Sequence, residues 1–105
     1  MVPPMKKKAA PKKLALSASG LPFKVGDSIF IRTVTHFQVG RVVAIGSDFI
    51  TLADASWVAD TGRFGAAMSG GTFSEVERLP SWVMVGRGAI VDVQPWNHPL
   101  PAVTK

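Results

Sequence analysis

Residues 28–53, SIFIRTVTHFQVGRVVAIGSDFITLA, decide the fold. Residues 28–36 are dense in β-branched side chains (Ile29, Ile31, Thr33, Val34, Thr35), which suit a pleated, half-buried surface. A bend around Phe37 to Gly40 leads to a second strand over 41–45. Gly46-Ser47-Asp48 then supplies residues that tolerate the positive φ of a tight hairpin turn, and 49–53 form a third strand. Three strands at such short spacing make a β-meander, the first half of a small barrel.

Beyond the meander the pattern changes. Asp60 or Thr61 is placed to cap a short helix through Phe64, Gly65, Ala66, Ala67 and Met68, stopped by Gly70-Gly71. Residues 72–79 read as an irregular edge strand ended by Pro80. Two further apolar runs, 82–85 and 89–93, flank Gly86-Arg87-Gly88. The fold class expected is mainly β: a small barrel of about five strands with one short helix inserted. Pro95, Pro99 and Pro101 make the following segment an extended strap, with Trp96 as its anchor. The expected division is an arm over 1–20, a barrel domain over 21–94 and the strap over 95–105.

The charge is unevenly distributed. The chain of 105 residues carries a formal net charge of +5. Lys6, Lys7, Lys8, Lys12 and Lys13 supply five positive charges with no acid among them, whereas from Lys24 onward seven basic residues face seven acidic ones. All the excess therefore belongs to the arm, whose Lys, Pro and Ala content offers little to bury. Two readings of the arm stand side by side: a solvated, flexible leader, or a segment that orders against an acidic surface, protein or nucleic acid. The body itself is neutral, which argues against a nucleic-acid-binding fold inferred from the high pI alone.

Cysteine is absent, so disulfides and thiolate metal sites are excluded. No secretory signal is expected from the charged start without an apolar stretch. No run approaches the roughly 18 apolar residues of a membrane span, so a soluble protein made in a bacterial cytoplasm is expected, without membrane partners.

Catalytic chemistry finds little material. No serine sits in a Gly-x-Ser-x-Gly elbow, and the two histidines, His36 and His98, stand apart in a strand and in the Pro-rich strap. No enzyme activity, metal or cofactor is expected. Gly86-Arg87-Gly88 lacks the spacing of a phosphate-binding loop and precedes a strand, so it reads as a turn. Three tryptophans remain. Trp82, inside an apolar run, reads as core; Trp57 and Trp96 read as candidates for a subunit contact or for docking the tail, ahead of base stacking.

Two resemblances follow from these motifs. Gly40, then Ser47-Asp48-Phe49-Ile50-Thr51-Leu52 and Asp54-Ala55, resembles the first signature of Sm-like proteins, and Arg87-Gly88 between apolar residues resembles the second. The resemblance implies an SH3/Sm-like barrel, and a ring that binds RNA or a nucleotide through Asp48, Thr51, Arg87 and Gly88. Thr51 stands where that family carries a base-contacting Asn, and an N-terminal helix is not evident before Ser28. The wider set Ile31-Arg32-Thr33, Gly40-Arg41-Val42, Leu52-Ala53-Asp54-Ala55-Ser56-Trp57, Asp60-Thr61-Gly62-Arg63-Phe64, Gly86-Arg87-Gly88-Ala89-Ile90 and Pro95-Trp96-Asn97-His98-Pro99-Leu100-Pro101 is similar to small proteins encoded in tailed-phage and prophage genomes. That resemblance implies an origin and no mechanism.

The function expected is a non-enzymatic structural part of a phage-type particle, packing against copies of itself or larger subunits. Its interface candidates are Trp57, Arg63, Phe64, Trp96 and His98, with the five arm lysines as electrostatic contacts. The alternatives are the Sm-like ring and a phage-encoded effector that binds a host factor or a small nucleotide.

Overall fold

The computed structural model describes residues 20–105; the arm and its lysines lie outside the described residues. The elements run β1 (Ser28–Thr33), β2 (Phe37–Ile45), β3 (Phe49–Asp60), α1 (Phe64–Gly70), β4 (Glu75–Arg78), β5 (Val83–Gly86) and β6 (Ile90–Pro95). Six antiparallel strands form one sheet in the order β4-β3-β2-β1-β6, with β5 also pairing with β3. Mainly β holds.

The barrel expected from the meander does not close. No ladder joins β6 to β4 or β5. The chain leaves β5 after four residues, through a 3-10 turn at Arg87–Ala89, and crosses to the far edge at β1. The edge of β4 is already taken: Val76 N–H donates to the Lys105 carbonyl (3.0 Å), Lys105 N–H returns the bond (2.8 Å), and Arg78 N–H donates to Thr104 Oγ1 (3.1 Å). Truncation after Val103 is expected to lower unfolding stability by about 1–3 kcal/mol, several bonds of modest net worth. Urea titration followed by circular dichroism measures this; an unchanged midpoint would show the pairing to be inert.

β3 runs seven residues further than the sequence suggests, to Asp60. The expected strand ends at Ala53, yet the chain continues through Asp54, which takes φ 50° inside the strand. Asp tolerates this left-handed conformation better than most residues, and the register against β2 shifts between Val39 and Arg41. The result is a bulge that bends the strand. β3 therefore serves two neighbours: Phe49 to Leu52 pair with β5, and Ser56 to Asp60 with β4. Arg41 and Arg78 both approach the Asp54 carboxylate at the bend, at 2.7 and 4.0 Å.

Alternation along the strands sends side chains to two faces, and each has its own core. The inner face buries Ile29, Ile31, Val42, Ile50, Leu52 and Val85 beneath Phe23. The outer face buries Phe30, Val39, Val58 and Val76 with Ala67, Phe73 and Trp96. Helix and strap thus cover only part of the outer face, over β1, the start of β2, the end of β3 and β4. Gly40 lies where the strands crowd: a Cβ there would sit 3.1 Å from those of Leu52 and Ala55.

The helix falls where the sequence places it, but its cap differs. Arg63 is the N-cap and contributes no side-chain bond, while Asp60 Oδ1 accepts Gly62 N–H (2.8 Å) in the preceding turn. Gly71 ends the helix at φ 75°, donating its N–H to the Ala67 carbonyl (2.8 Å), a left-handed stop that glycine adopts without cost from a Cβ.

Candidate functional site

The expected interface residues divide into two groups. Trp96 and His98 face inward. Trp96 is 4% exposed, stacks on Phe73 (ring centroids 5.0 Å, interplanar 12°) and on Phe30 (6.1 Å), and donates its indole N–H to the Pro99 carbonyl (3.3 Å). His98 lies edge-on to Trp96 (4.9 Å), and its Nε2 bonds the Met68 carbonyl (2.8 Å) at the end of α1. Trp96 therefore seats the strap on the outer core and is not available to another subunit, while the half-buried His98 ties the strap to the helix. The reason is tertiary: Phe30 and Phe73 lie 66 and 23 residues upstream of Trp96 and form a flat aromatic seat for it.

Trp57, Arg63 and Phe64 are exposed. Phe64 leans edge-on against Phe30 (6.0 Å) beside Arg32 and Asp92. The Arg32 Nε donates to Asp92 Oδ2 (2.9 Å), so the local charge is balanced. Arg63 makes no ion pair among the described residues. Trp57 packs against the His36 ring (5.0 Å), whose nitrogens are both engaged: Nδ1 with Thr35 Oγ1 (2.7 Å) and Nε2 with the Gln38 side-chain amide (3.1 Å). His36 consequently positions Trp57, with no ring nitrogen left over for a ligand.

The two loops of the nucleotide-binding alternative do meet. Arg87 N–H donates to the Asp48 carbonyl (2.8 Å), and its guanidinium Nη1 donates to the Gly46 carbonyl (2.7 Å). Asp48, Arg87 and Gly88 thus share one end of the sheet. Thr51 sits apart from that turn, in the ladder opposite Met84.

Sequence reading missed a cluster of exposed apolar side chains on β3 and β5. Trp82, read as core, is 62% exposed, and Met84 (47%) and Phe49 (46%) are exposed with it. Val83 and Val85 point inward, so Trp82 and Met84 point outward by alternation. Phe49 shares that face because Ile50 and Leu52 are buried on the other. The Ala44–Thr51–Met84 row lies between them. The row and the flanking Trp82 and Phe49 carry no charge; Arg41, opposite Ala53 one row on, is paired with Asp54. The signal was present as the alternation of Trp82 and Met84 with Val83 and Val85; reading 82–85 as one apolar block concealed it.

A cleft of about 390 Å³ opens elsewhere, between the lead-in at Phe23 and the strap, with an apolar wall of Ile29, Val93 and Trp96. Asp27 at its rim is engaged by Lys24, whose N–H and Nζ approach it at 3.0 and 3.4 Å. Among the described residues no three His, Asp or Glu side chains converge as a metal site, and no helix is long and apolar enough to cross a membrane. No family model, curated protein or solved structure matches the chain.

Proposed function

We infer that the chain is a non-enzymatic assembly protein, a subunit of a phage-type particle that docks through the bare part of its outer sheet face. The observation that carries this reading is the uncharged surface of Trp82, Met84 and Phe49 on a small domain. Large exposed aromatics clustered without charge are characteristic of protein contact surfaces. The placement in a particle rests on the sequence resemblance to small tailed-phage and prophage proteins. The basic arm would add electrostatic contact to an acidic neighbour.

The test is co-purification. In an infection or prophage induction that supplies the tagged chain, it is expected in density-purified particles, with Trp82→Ser reducing its occupancy at least several-fold. Particles devoid of the wild-type chain would sink the proposal. The meeting of Asp48 with Arg87 and Gly88 favours a second reading, RNA or nucleotide binding at that end of the sheet. A calorimetric titration in which affinity survives deletion of residues 1–13 but is lost in Arg87→Ala would promote it.

A further inference from the structure

The bare face borders an open strand edge, and the two fit a second copy of this chain. Along an antiparallel strand the N–H and C=O groups of successive residues point alternately to its two sides. The bond from Arg87 N–H to the Asp48 carbonyl sets the phase: Val83 and Val85 turn their groups toward β3, and Met84 and Gly86 turn theirs outward. Among the described residues, no bond beyond the ladders takes up the N–H or carbonyl of Met84 or the N–H of Gly86; the Gly86 carbonyl caps the 3-10 turn at Arg87–Ala89 and keeps one lone pair for a second donor.

The other edges are guarded. Thr104 and Lys105 occupy that of β4. β6 carries Asp92, held by Arg32, and Pro95, which has no N–H to donate. β5, Val83-Met84-Val85-Gly86, has neither charge nor proline.

We propose that two copies pair β5 against β5 about a two-fold axis, Met84 of each opposite Gly86 of the other, as a dimer within the assembly reading above, on which this proposal rests. In this register each Met84–Gly86 pair exchanges two main-chain bonds, Gly86 N–H donating to the Met84 carbonyl and Met84 N–H sharing the Gly86 carbonyl with the 3-10 turn, and the arrangement is self-complementary, as an isologous contact requires. The side chains agree with it. Gly86 has no side chain, and a Cβ there would meet nothing within 4 Å. The Met84 thioether of the second copy enters that space beside Phe49, which faces Gly86 across the ladder, making a sulfur–aromatic contact. Trp82 extends the apolar strip along the same edge.

The buried surface is small. Full burial of an aromatic side chain covers on the order of 150–250 Å², so these partly exposed groups and the edge backbone from two copies amount to roughly 700–1,000 Å². That is the low end of specific interfaces, and the dimer is weak and concentration-dependent.

Sedimentation equilibrium of the full chain is expected to show a monomer–dimer equilibrium in the micromolar range. Gly86 has φ −64°, which any residue adopts, so Gly86→Val keeps the fold while filling the space that receives Met84. It is expected to abolish the dimer with an unchanged circular dichroism spectrum. The chain has no cysteine, so mixing Met84→Cys with Gly86→Cys under mild oxidation reads the register directly. Facing residues of a hydrogen-bonded pair lie about 5.5 Å apart, within disulfide reach. The mixed disulfide is expected to form faster than either self-disulfide. A chain that stays monomeric at its highest soluble concentration overturns the proposal, as does a dimer indifferent to Gly86→Val or a dimer that does not cross-link between 84 and 86. A monomer that still travels with particles removes this pairing and leaves the assembly reading; a cross-linked dimer never found in particles does the reverse.

Discussion

Trp96→Ala is expected to remove most of the stability of the domain. The indole is 4% exposed and shares an aromatic stack with Phe73 and Phe30, and its N–H holds the Pro99 carbonyl. Truncating a buried aromatic costs about 3–5 kcal/mol, the transfer of the ring plus the cavity left behind. A domain of this size has of the order of 5 kcal/mol in total. The strap then loses its anchor, and Phe30, buried beneath it, gains water. Urea unfolding followed by circular dichroism should show a midpoint collapsed toward zero denaturant. Trp82→Ala is the matched control: the same chemical change at an exposed site should cost no more than about 0.5 kcal/mol in dilute solution. Equal losses at the two positions would contradict the division between buried and docking tryptophans.

Gly71→Ala is the second large effect. Gly71 stands at φ 75°, and a Cβ there would lie 2.5 Å from His98 Cγ and 2.7 Å from its Cβ. Those atoms sit near the His98 backbone, so relief demands movement of the strap itself. The left-handed conformation costs an alanine about 1–2 kcal/mol, and forced overpacking adds about 1–3 kcal/mol. A total loss of roughly 2–5 kcal/mol is expected. The two contributions separate in a double-mutant cycle. On a Gly71→Ala background, His98→Ala should recover part of the overpacking cost while the backbone strain stays. On the wild-type background, His98→Ala should only destabilise, because it removes the bond to the Met68 carbonyl. Strict additivity would mean that the crowding between Gly71 and His98 is not what makes the substitution costly.

These two sites show what sequence could and could not convey. The meander, the helix over Phe64–Gly70 and the later strands follow from local signals: β-branched density, a Gly-Ser-Asp turn and a Gly-Gly stop. Trp96 was legible as the anchor of a strap, but its seat is built from Phe30 and Phe73, far away in the chain. Burial of that kind has no local signature, so the same residue was equally readable as a subunit contact. The far half of β3 was hidden in the opposite direction. The β signal thins after Ala53, and only the bulge against β2 shows how the strand passes through Asp54. The open barrel was also beyond reach, because which edges stay unpaired, and that Thr104 and Lys105 take the edge of β4, is set by tertiary pairing. Trp82 was a different failure. Its alternation with Val83 was written in the sequence and was overridden by the hydrophobicity of its neighbours.

The strap has a consequence for how the molecule is made. β1 pairs with β6 across about sixty residues, and the outer core is completed only by Trp96 and Leu100. A ribosome-bound chain that has not yet released these residues holds the meander but leaves Phe30 and Phe73 uncovered. Folding dominated by such distant pairings is slow and waits on its last partners. The domain is therefore expected to complete itself after the strap has emerged, with nascent chains passing through a sticky stage in which their aromatic face is open to chaperones or to one another.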